Sequence, residues 1–365
     1  MMKLDELNTY PFSLPIQNKL TWGIGKGLQS LDHVLVEVKA GGFVGYAEAV
    51  PRPSILHETQ ESVITYCKQI TNKLIFDLTE ENIDNFSDLE FSKNQNLAAK
   101  AAVNCALYDL LSKIKGISLN ELIGLPNNKI DSCYVLPKPE NDNEYIDQLE
   151  DKIAQGIFGF KIKLTGDISR DFHIFDILNK FTGCMFYLDG NEMYSLDNAV
   201  KLVDHVSSIP NILYLEEPID VSNIKGRQKL MEYVKENQLY IEIVGDDSCK
   251  TFEDLKKQVD LTTISMVNIK VPRTGISEGL KILDYCKKID LPVMIGSHAG
   301  YLIASYYSCL LANHEAVTSK LNEVIYWNNV SKENDFVERP KIKNNQVNFN
   351  NFPKIDMNKI AEAIK

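Results

Sequence analysis

Five polar residues between positions 163 and 270 stand at the ends of short apolar segments, and successive members lie 24 to 30 residues apart. This spacing is about what a strand, a helix and two short loops need, so it predicts consecutive strand–helix repeats of a parallel barrel. The carboxyl ends of barrel strands meet on one face, where barrel enzymes have their active sites. The five residues are Lys163, Asp189, Glu216, Asp246 and Lys270.

Three of these residues are carboxylates in successive repeats. A single carboxylate at a strand end can simply cap the next helix. Three in a row are better explained by a shared cation site, and hard oxygen donors in this number favour Mg²⁺, with Mn²⁺ as the alternative. We therefore predict that Asp189, Glu216 and Asp246 bind a metal ion, and that Asn191 contributes to the same site, to its surroundings or to substrate binding.

The lysines indicate proton transfer beside the metal. Lys161 and Lys163 are two residues apart in GFKIKL, so on a strand their side chains share a face. The alternative is an exposed strand edge with two solvated lysines. Lys270 ends the apolar segment MVNIK, where a buried lysine is costly unless it is paired or functional. Because the sixth strand of a barrel lies roughly opposite the second, we expect Lys163 and Lys270 to face each other across a substrate.

These residue types suit the removal of a proton next to a carboxylate. The reaction builds an enediolate dianion, whose extra charge must be stabilised where it forms. A divalent ion polarises the carboxylate oxygens, and Lys161 adds a fixed positive charge. Lysines on opposite faces of one carbon permit proton removal on one side and return on either side.

The elements that position these residues follow a more regular pattern after residue 130. Residues 10–50 predict a meander of strands, and residues 58–123 have helical periodicity. Eight short apolar segments then alternate with helical stretches, the last of them at 316–321. We predict an α/β fold, a modified TIM barrel of the (β/α)7β type with an α+β capping domain. The predicted domains are the cap, 1–130 completed by the tail 331–365, and the barrel, 131–330.

Composition excludes several other classes of protein. The 365 residues are 44% hydrophobic and carry a net charge of −11, which argues against nucleic acid as a partner. The apolar stretches are too short to span a membrane, and the amino terminus has no signal-peptide pattern. Seven scattered cysteines are typical of free thiols in a reducing compartment. We expect a cytoplasmic homo-oligomer that acts on a small carboxylate substrate.

The order of the motifs resembles the enolase superfamily, in particular its muconate-lactonizing-enzyme subgroup. The segments that carry the resemblance are KIK, DGNE, LEEP, GDDS and VNIKVPRTG. Two earlier segments, AAVNCALYDLLSKIKGISLNELIG and VGYAEAVP, are similar to the family's long cap helix and to the cap strand that leads to a substrate-covering loop. The superfamily is an established example of a lysine base that works beside Mg²⁺.

The resemblance implies a role for each matching residue. Lys163 and Lys270 match the acid/base pair, and Lys161 matches the lysine that stabilises the enolate. The three carboxylates match the metal ligands. Asp247 stands where the family usually has glutamate, a position that supports the metal site without binding the ion.

The residues that would set substrate specificity depart from the family's patterns. Relatives of the dipeptide-epimerase type carry Asp-x-Asp at the eighth strand to bind the substrate's ammonium group, whereas TSKLNEVIYW has no such pair and its Lys320 suits an anionic group. His298 ends the seventh strand, where the mandelate-racemase subgroup has a catalytic histidine. In that subgroup the histidine pairs with an aspartate of the sixth strand, and here Lys270 occupies the position of that aspartate. We therefore expect His298 to contact substrate or to be structural. Arg52 in the cap loop either clamps a distal carboxylate or is a plain surface residue.

The reaction that we predict first is Mg²⁺-dependent racemisation or epimerisation of an amino-acid derivative or dipeptide, through an enediolate intermediate. Cycloisomerisation of the muconate type and syn-elimination of the o-succinylbenzoate-synthase type use the same residues and stay open. A catalytically silent homologue that serves as a binding protein is disfavoured, because every metal and lysine position is filled.

Overall fold

The computed structural model of the chain describes residues 2–22, 26–137 and 141–363, without the side chains of 17–22, 26 and 361–363. The predicted domains also include residues outside these ranges, namely 1, 23–25, 138–140 and 364–365. No helix of the described ranges is long and apolar enough to cross a lipid bilayer.

The amino-terminal part of the chain is an antiparallel sheet covered by helices. Its strands pair in the order β1 (Glu6–Trp22), β2 (Lys26–Ala40) and β3 (Phe43–Ala49). Four helices and a short strand follow: α1 (Gln60–Ile70), α2 (Glu80–Phe91), α3 (Leu97–Lys115), α4 (Leu119–Leu122) and β4 (Ile130–Asp131). Helix α3 packs so closely on β3 that a Cβ atom at Gly45 would lie 2.3 Å from the Ala106 carbonyl oxygen. Glycine is therefore required at that contact.

Seven parallel strands form one curled sheet in chain order. They are β5 (Tyr134–Leu136), β6 (Gly159–Lys163), β7 (Met185–Asp189), β8 (Ile212–Glu216), β9 (Glu242–Gly245), β10 (Met266–Lys270) and β11 (Val293–Gly296). The helices that alternate with them are α5 (Asp142–Ala154), α6 (Ile168–Leu178), α7 (Leu196–Val206), α8 (Ile224–Glu236), α9 (Phe252–Asp260), α10 (Val271–Thr274), α11 (Ser277–Lys288) and α12 (Leu302–Leu311). The predicted α/β fold with an antiparallel cap is confirmed.

Capping side chains fix where several barrel helices begin. Helices α6 to α9 each follow a residue whose side chain accepts a hydrogen bond from a backbone N–H of the helix. These capping residues are Asp167, Ser195, Asn223 and Thr251, respectively.

Inward-facing residues fill the barrel interior below the active-site end with an apolar layer. Its buried members are Cys133, Tyr187, Val244, Met266, Met294 and Leu321.

The eighth strand predicted at 316–321 is not a regular strand. Isolated parallel bridges join Val317 to Val293 of β11 and Asn322 to Ser132 just before β5. The Asn322 side chain adds to this closure, because its Oδ1 accepts the Ile295 N–H at 2.9 Å. Segment 316–323 therefore closes the ring between β11 and β5 with irregular backbone, which periodicity in the sequence cannot distinguish from a short strand.

The tail contacts both parts of the molecule. Strand β12 (Gln346–Val347) pairs antiparallel with β4, and helix α13 (Met357–Ala363) packs on β1. Earlier in the tail, the buried ring of Phe336 lies 5.0 Å from the ring of Phe12 in β1 and 5.2 Å from that of Tyr301 before α12. We propose on this basis that the tail completes the capping domain.

Replacement of Phe336 by alanine should lower the free energy of unfolding by about 3–5 kcal/mol, because it leaves a cavity where the tail, cap and barrel meet. Chemical denaturation of the purified protein measures this change. The matched control is Tyr240→Ala, at a side chain that is 91% exposed, and it should change stability by less than about 0.5 kcal/mol. Equal stability of the two variants would contradict the anchoring role of the tail.

Candidate active site

Strand register brings the predicted residues to one end of the barrel. Lys163, Asp189 and Glu216 are direct register partners across β6, β7 and β8. A single cavity at this end is lined by Lys161, by four of the five strand-end residues and by Asn191. Glu216 is 1% exposed and reaches the group through hydrogen bonds with Lys161. The structure therefore brings together all six predicted metal and lysine residues.

Lys161 is the centre of this cluster. Its Nζ donates to Glu216 Oε1 at 3.0 Å, to Glu323 Oε1 at 2.7 Å and to the Tyr187 hydroxyl at 2.9 Å, and it lies 3.0 Å from Asp189 Oδ2. Burial opposes the charged form, but the surrounding carboxylates raise the pKa of Lys161 well above its usual value. The side chain is 2% exposed, so the alternative of a solvated strand edge is excluded for this residue.

Lys163 and Lys270 lie on opposite strands of the ring. Between β6 and β10 stand three strands on one side, and β11, segment 316–323 and β5 on the other. Lys163 pairs with Asp189, and Lys270 pairs with Asp246. Burial opposes the charge of Lys270, yet Asp246 and Asp247 raise its pKa. Both amines line the same cavity, which is the arrangement that the spacing in the sequence predicts.

The carboxylates carry strongly perturbed pKa values. Burial together with the charges of Asp246 and Glu323 raises the pKa of Glu216 to about 8, against the effect of Lys161. Although burial opposes ionisation of Asp189, Lys161 and Lys163 lower its pKa to about 2. Burial also opposes ionisation of Asp246, whose pKa Lys270 and Arg273 nevertheless hold well below its usual range. The carboxylates of the site therefore differ widely in how readily each one ionises.

The carboxylate and amide oxygens of the site are the type of ligand that binds a hard cation, but they do not converge on a common point. The described residues contain no group of three or more His, Cys, Asp or Glu side chains arranged to hold a metal ion, because the lysines pair with the carboxylates instead. The buried Oδ1 of Asn191 accepts no hydrogen bond from any described residue. Oδ1 of Asp246 accepts none either, but it lies 3.2 Å from Nη2 of Arg273 in an ion pair. An all-oxygen set of this kind suits a divalent ion such as Mg²⁺ once the lysine pairs open.

A second group of residues holds the loop that carries Asp246. The carboxylate of Glu217 accepts the backbone N–H groups of Asp246, Asp247 and Ser248 at 2.9, 3.1 and 2.9 Å. Arg273 donates to the Asp246 carbonyl at 2.8 Å and to the Asp247 carboxylate at 3.1 Å. Asp247 is thus joined to Arg273 by a salt bridge, beside the loop that carries Asp246.

Sequence reasoning gave no role to several residues of the cluster. Tyr187 and Asn268 lie two residues before Asp189 and Lys270, so the period-two rule for strands could have identified both as inward-facing. Asn268 Nδ2 donates to Glu216 Oε2 at 3.1 Å and to the Tyr187 hydroxyl at 3.2 Å. Glu323 carried no such signal, because its partner Lys161 is 162 residues away in the chain.

The predicted specificity residues have different positions. His298 lines the cavity and is buried, and its Nδ1 has no partner among the described residues. Burial, with Lys270 and Arg273 nearby, lowers the pKa of His298 well below its usual value, so the ring is neutral. Arg52 also lines the cavity and is buried, which excludes the surface alternative. Lys320 is exposed and lies outside the lining of the cavity, so the structure does not bring it to the site.

Comparison with known proteins agrees with this geometry. Residues 144–353 match the family described as enolase C-terminal domain-like, and residues 24–124 match the N-terminal domain of the mandelate racemase / muconate lactonizing enzyme family. The L-Ala-D/L-Glu epimerase of Francisella tularensis subsp. novicida is 24% identical over 318 residues, which cover 84% of this chain and 87% of the relative. The o-succinylbenzoate synthase of Bacillus subtilis is 24% identical over 302 residues, with coverage of 81% and 78%.

Among solved structures, the muconate lactonizing enzyme of Mycobacterium smegmatis in complex with muconolactone superposes with a TM-score of 0.89 at 22% identity, and the match covers 99% of both chains. The chain belongs to the enolase superfamily, in its muconate-lactonizing-enzyme subgroup. It is an enzyme, an isomerase or a lyase like these relatives.

Replacement of Glu217 by glutamine should weaken Mg²⁺ binding by about 10–100-fold without unfolding the protein. The new amide would turn one N–H group toward backbone donors that now share a carboxylate, and the loop with Asp246 would shift. Isothermal titration with Mg²⁺ measures the effect, and Glu236→Gln at an exposed position is the control. Unchanged affinity in Glu217→Gln would show that the loop needs no such support.

Proposed function

We propose that this enzyme uses Mg²⁺, held by Asp189, Glu216 and Asp246, to abstract a proton alpha to a carboxylate, and that it racemises or epimerises an amino-acid derivative or dipeptide. The single observation that supports this most is the position of two lysines, Lys163 and Lys270, on opposite strands of one cavity. A planar enediolate between them would be accessible to a proton on either face.

The roles of the side chains follow from their contacts. Bound Mg²⁺ would supply a Lewis acid for the substrate carboxylate. Lys161 is fixed beside it by Glu216, Glu323 and Tyr187, so its ammonium group would stabilise the charge that develops on the same oxygens. One of the two opposed lysines takes the alpha proton to its Nζ, and the other returns a proton from the opposite face.

The opposed lysines need a neutral amine in one of the two positions. Burial opposes the charge of Lys270, but Asp246 raises its pKa. When that carboxylate is neutralised by a bound cation, Lys270 loses the interaction that favours its charged form. The hydrogen bond from Lys163 Nζ to Asp189 would open as well, because Asp189 would bind the ion. The proposal therefore links metal binding to the release of both lysines for proton transfer.

Syn-elimination is the second candidate, and it is supported by the similarity to an o-succinylbenzoate synthase over 81% of the chain. Elimination and cycloisomerisation need proton transfer on one face only. The arrangement of two cavity-lining lysines favours epimerisation over both, because each face then has its own acid or base.

Location in the cytoplasm and assembly as a homo-oligomer stay predictions.

Single lysine variants test the proposal. Lys163→Ala and Lys270→Ala should each stop turnover, while each still exchanges the alpha proton of one stereoisomer with solvent, and not the same one. Lys161→Ala should slow both directions by about 10²–10³, because it stabilises the shared enediolate. NMR in deuterated water follows the exchange, with Lys201→Ala on the exposed face of α7 as control. Exchange of the same stereoisomer by Lys163→Ala and Lys270→Ala would contradict the two-face arrangement.

A further inference from the structure

Three buried ionisable side chains of the cap form a continuous chain of contacts. His33 comes from β2, Glu48 from β3 and Arg52 from the loop that follows β3. Glu48 pairs with Leu35, two residues from His33, so the side chains of His33 and Glu48 lie on the same face of the sheet. All three ionisable side chains are at most 3% exposed, and none of them belongs to the cluster of metal and lysine residues.

Arg52 is a buried cation, and none of its direct hydrogen-bond partners is a carboxylate. Its guanidinium donates to the carbonyl oxygens of His298 at 2.8 Å and Ala299 at 3.1 Å, and to that of the preceding residue. The fourth contact joins its Nη2 to His33 Nε2 at 2.9 Å. Buried guanidinium groups are normally paired with carboxylates. Burial lowers the pKa of Arg52 to about 10, and the negative charge of Glu48, beyond the His33 ring, opposes this change.

The contacts of His33 fix where its ring carries a proton. An arginine has donors only, so Nε2 of His33 must accept from Arg52. Burial lowers the pKa of His33, against its hydrogen bond with Glu48, so the ring is neutral and its single proton lies on Nδ1. Nδ1 donates this proton to Glu48 Oε1 at 2.6 Å. The His33 ring therefore joins a guanidinium to a carboxylate, with one nitrogen as acceptor and the other as donor.

The carboxylate end of this chain of contacts holds the first turn of a barrel helix. Glu48 accepts the N–H of Tyr301, which precedes α12, at 2.8 Å and the N–H of Ala304 in α12 at 2.9 Å. The first N–H groups of a helix have no partner within the helix, and a carboxylate there is favourable. A side chain of the cap thus satisfies backbone donors of the barrel.

The arginine end holds the turn just before the same helix. His298 and Ala299 have φ of +51° and +57°, a conformation that residues with a Cβ atom rarely adopt and that persists only where neighbouring groups hold it. Arg52 bonds the carbonyl oxygens of both residues. The ring of His298 lines the active-site cavity, and its Nδ1 has no partner among the described residues. The turn therefore decides where this ring meets a substrate.

We propose that Glu48, His33 and Arg52 are positioning residues that act in series, so that the cap sets the place of His298 in the active site. Glu48 fixes the tautomer of His33, the His33 ring orients the guanidinium, and the guanidinium holds the turn. These contacts are a feature of the fold, whereas their effect on turnover rests on the proposed function. His33 is the residue to change, because Arg52 itself lines the cavity and His33 is not among the lining residues.

Nitrogen NMR of isotopically labelled histidine rings tests the series without a substrate. In the full-length, Mg²⁺-loaded protein at neutral pH, the ring of His33 should be neutral and carry its proton on Nδ1. The variant His33→Gln lacks these signals and so assigns them. A proton on Nε2, or a doubly protonated ring, would overturn the proposal, because either state removes the acceptor that the guanidinium of Arg52 needs.

A comparison of His33→Leu with His33→Gln separates positioning from packing. Leucine fills the buried space with no donor or acceptor, whereas a glutamine amide can donate to Glu48 and accept from Arg52. His33→Leu should shift the ring signals of His298 and reduce kcat/KM for alpha-proton exchange by about ten- to a hundredfold. His33→Gln should keep more of both. The exchange is measured in deuterated water with L-alanyl-L-glutamate as the probe.

Glu48→Gln provides a second variant if His33→Leu does not fold. Its amide turns an N–H group toward donors that now share a carboxylate, so it should shift the His298 signals in the same way. The control is Ile83→Ala, at a fully buried residue of α2, which packs on α3 and α11. This variant should lower the stability of the cap while the His298 signals and the exchange rate stay unchanged.

Unchanged His298 signals in both His33→Leu and Glu48→Gln would overturn the proposal. A better exchange rate for His33→Leu than for His33→Gln would also overturn it, since that order is the one expected if His33 only fills space. If the unmodified protein exchanges no alpha proton, that result counts against the proposed function. The tautomer of His33 and the His298 signals still decide the positioning series in that case, because they are measured without a substrate.

Discussion

The site and the closure of the barrel both depend on the ion pairs that the Lys161 ammonium group makes with buried carboxylates. This group lies between buried carboxylates from β7, β8 and the closing segment, namely Asp189, Glu216 and Glu323. Without a cation among them, these groups would repel one another in a low-dielectric interior. Removal of one partner from a buried ion pair typically costs about 3–5 kcal/mol. Lys161, whose positive charge the proposed reaction needs, therefore also stabilises the fold.

The link to closure is specific to the eighth position of the ring. Segment 316–323 has only isolated bridges to its neighbours. Glu323 is held there by its own N–H, which donates to the Ile295 carbonyl at 2.8 Å, and by its carboxylate, which accepts from Lys161. The ion pair between Lys161 and Glu323 therefore helps to hold segment 316–323 in the ring, whereas the other strands are joined by regular backbone hydrogen bonds. The cap adds a second tie, because Glu48 accepts the N–H groups of Tyr301 and Ala304 at 2.8 and 2.9 Å.

Local sequence pattern was sufficient for the residues at strand ends. Lys163, Asp189, Glu216, Asp246 and Lys270 could be predicted because each closes an apolar segment and the repeat length places them on one face. The closing segment, Glu323 and the pairing of Arg52 could not, since they depend on contacts between residues far apart in the chain. Lys320 illustrates the same limit. The sequence pattern places Lys320 in the eighth strand, but irregular backbone in that segment leaves it exposed and brings Glu323 to the cavity instead.

The most direct test of the central claim is metal-dependent exchange of an alpha proton by the unmodified protein. Both enantiomers of each compound in a panel of dipeptides and N-acyl amino acids would be incubated with the enzyme in deuterated water and followed by NMR. We expect at least one compound to exchange its alpha proton from both enantiomers with Mg²⁺ present. Exchange should stop after exhaustive EDTA treatment and return when Mg²⁺ is added. Full exchange after removal of the metal, or exchange confined to one enantiomer of every active compound, would contradict the central claim.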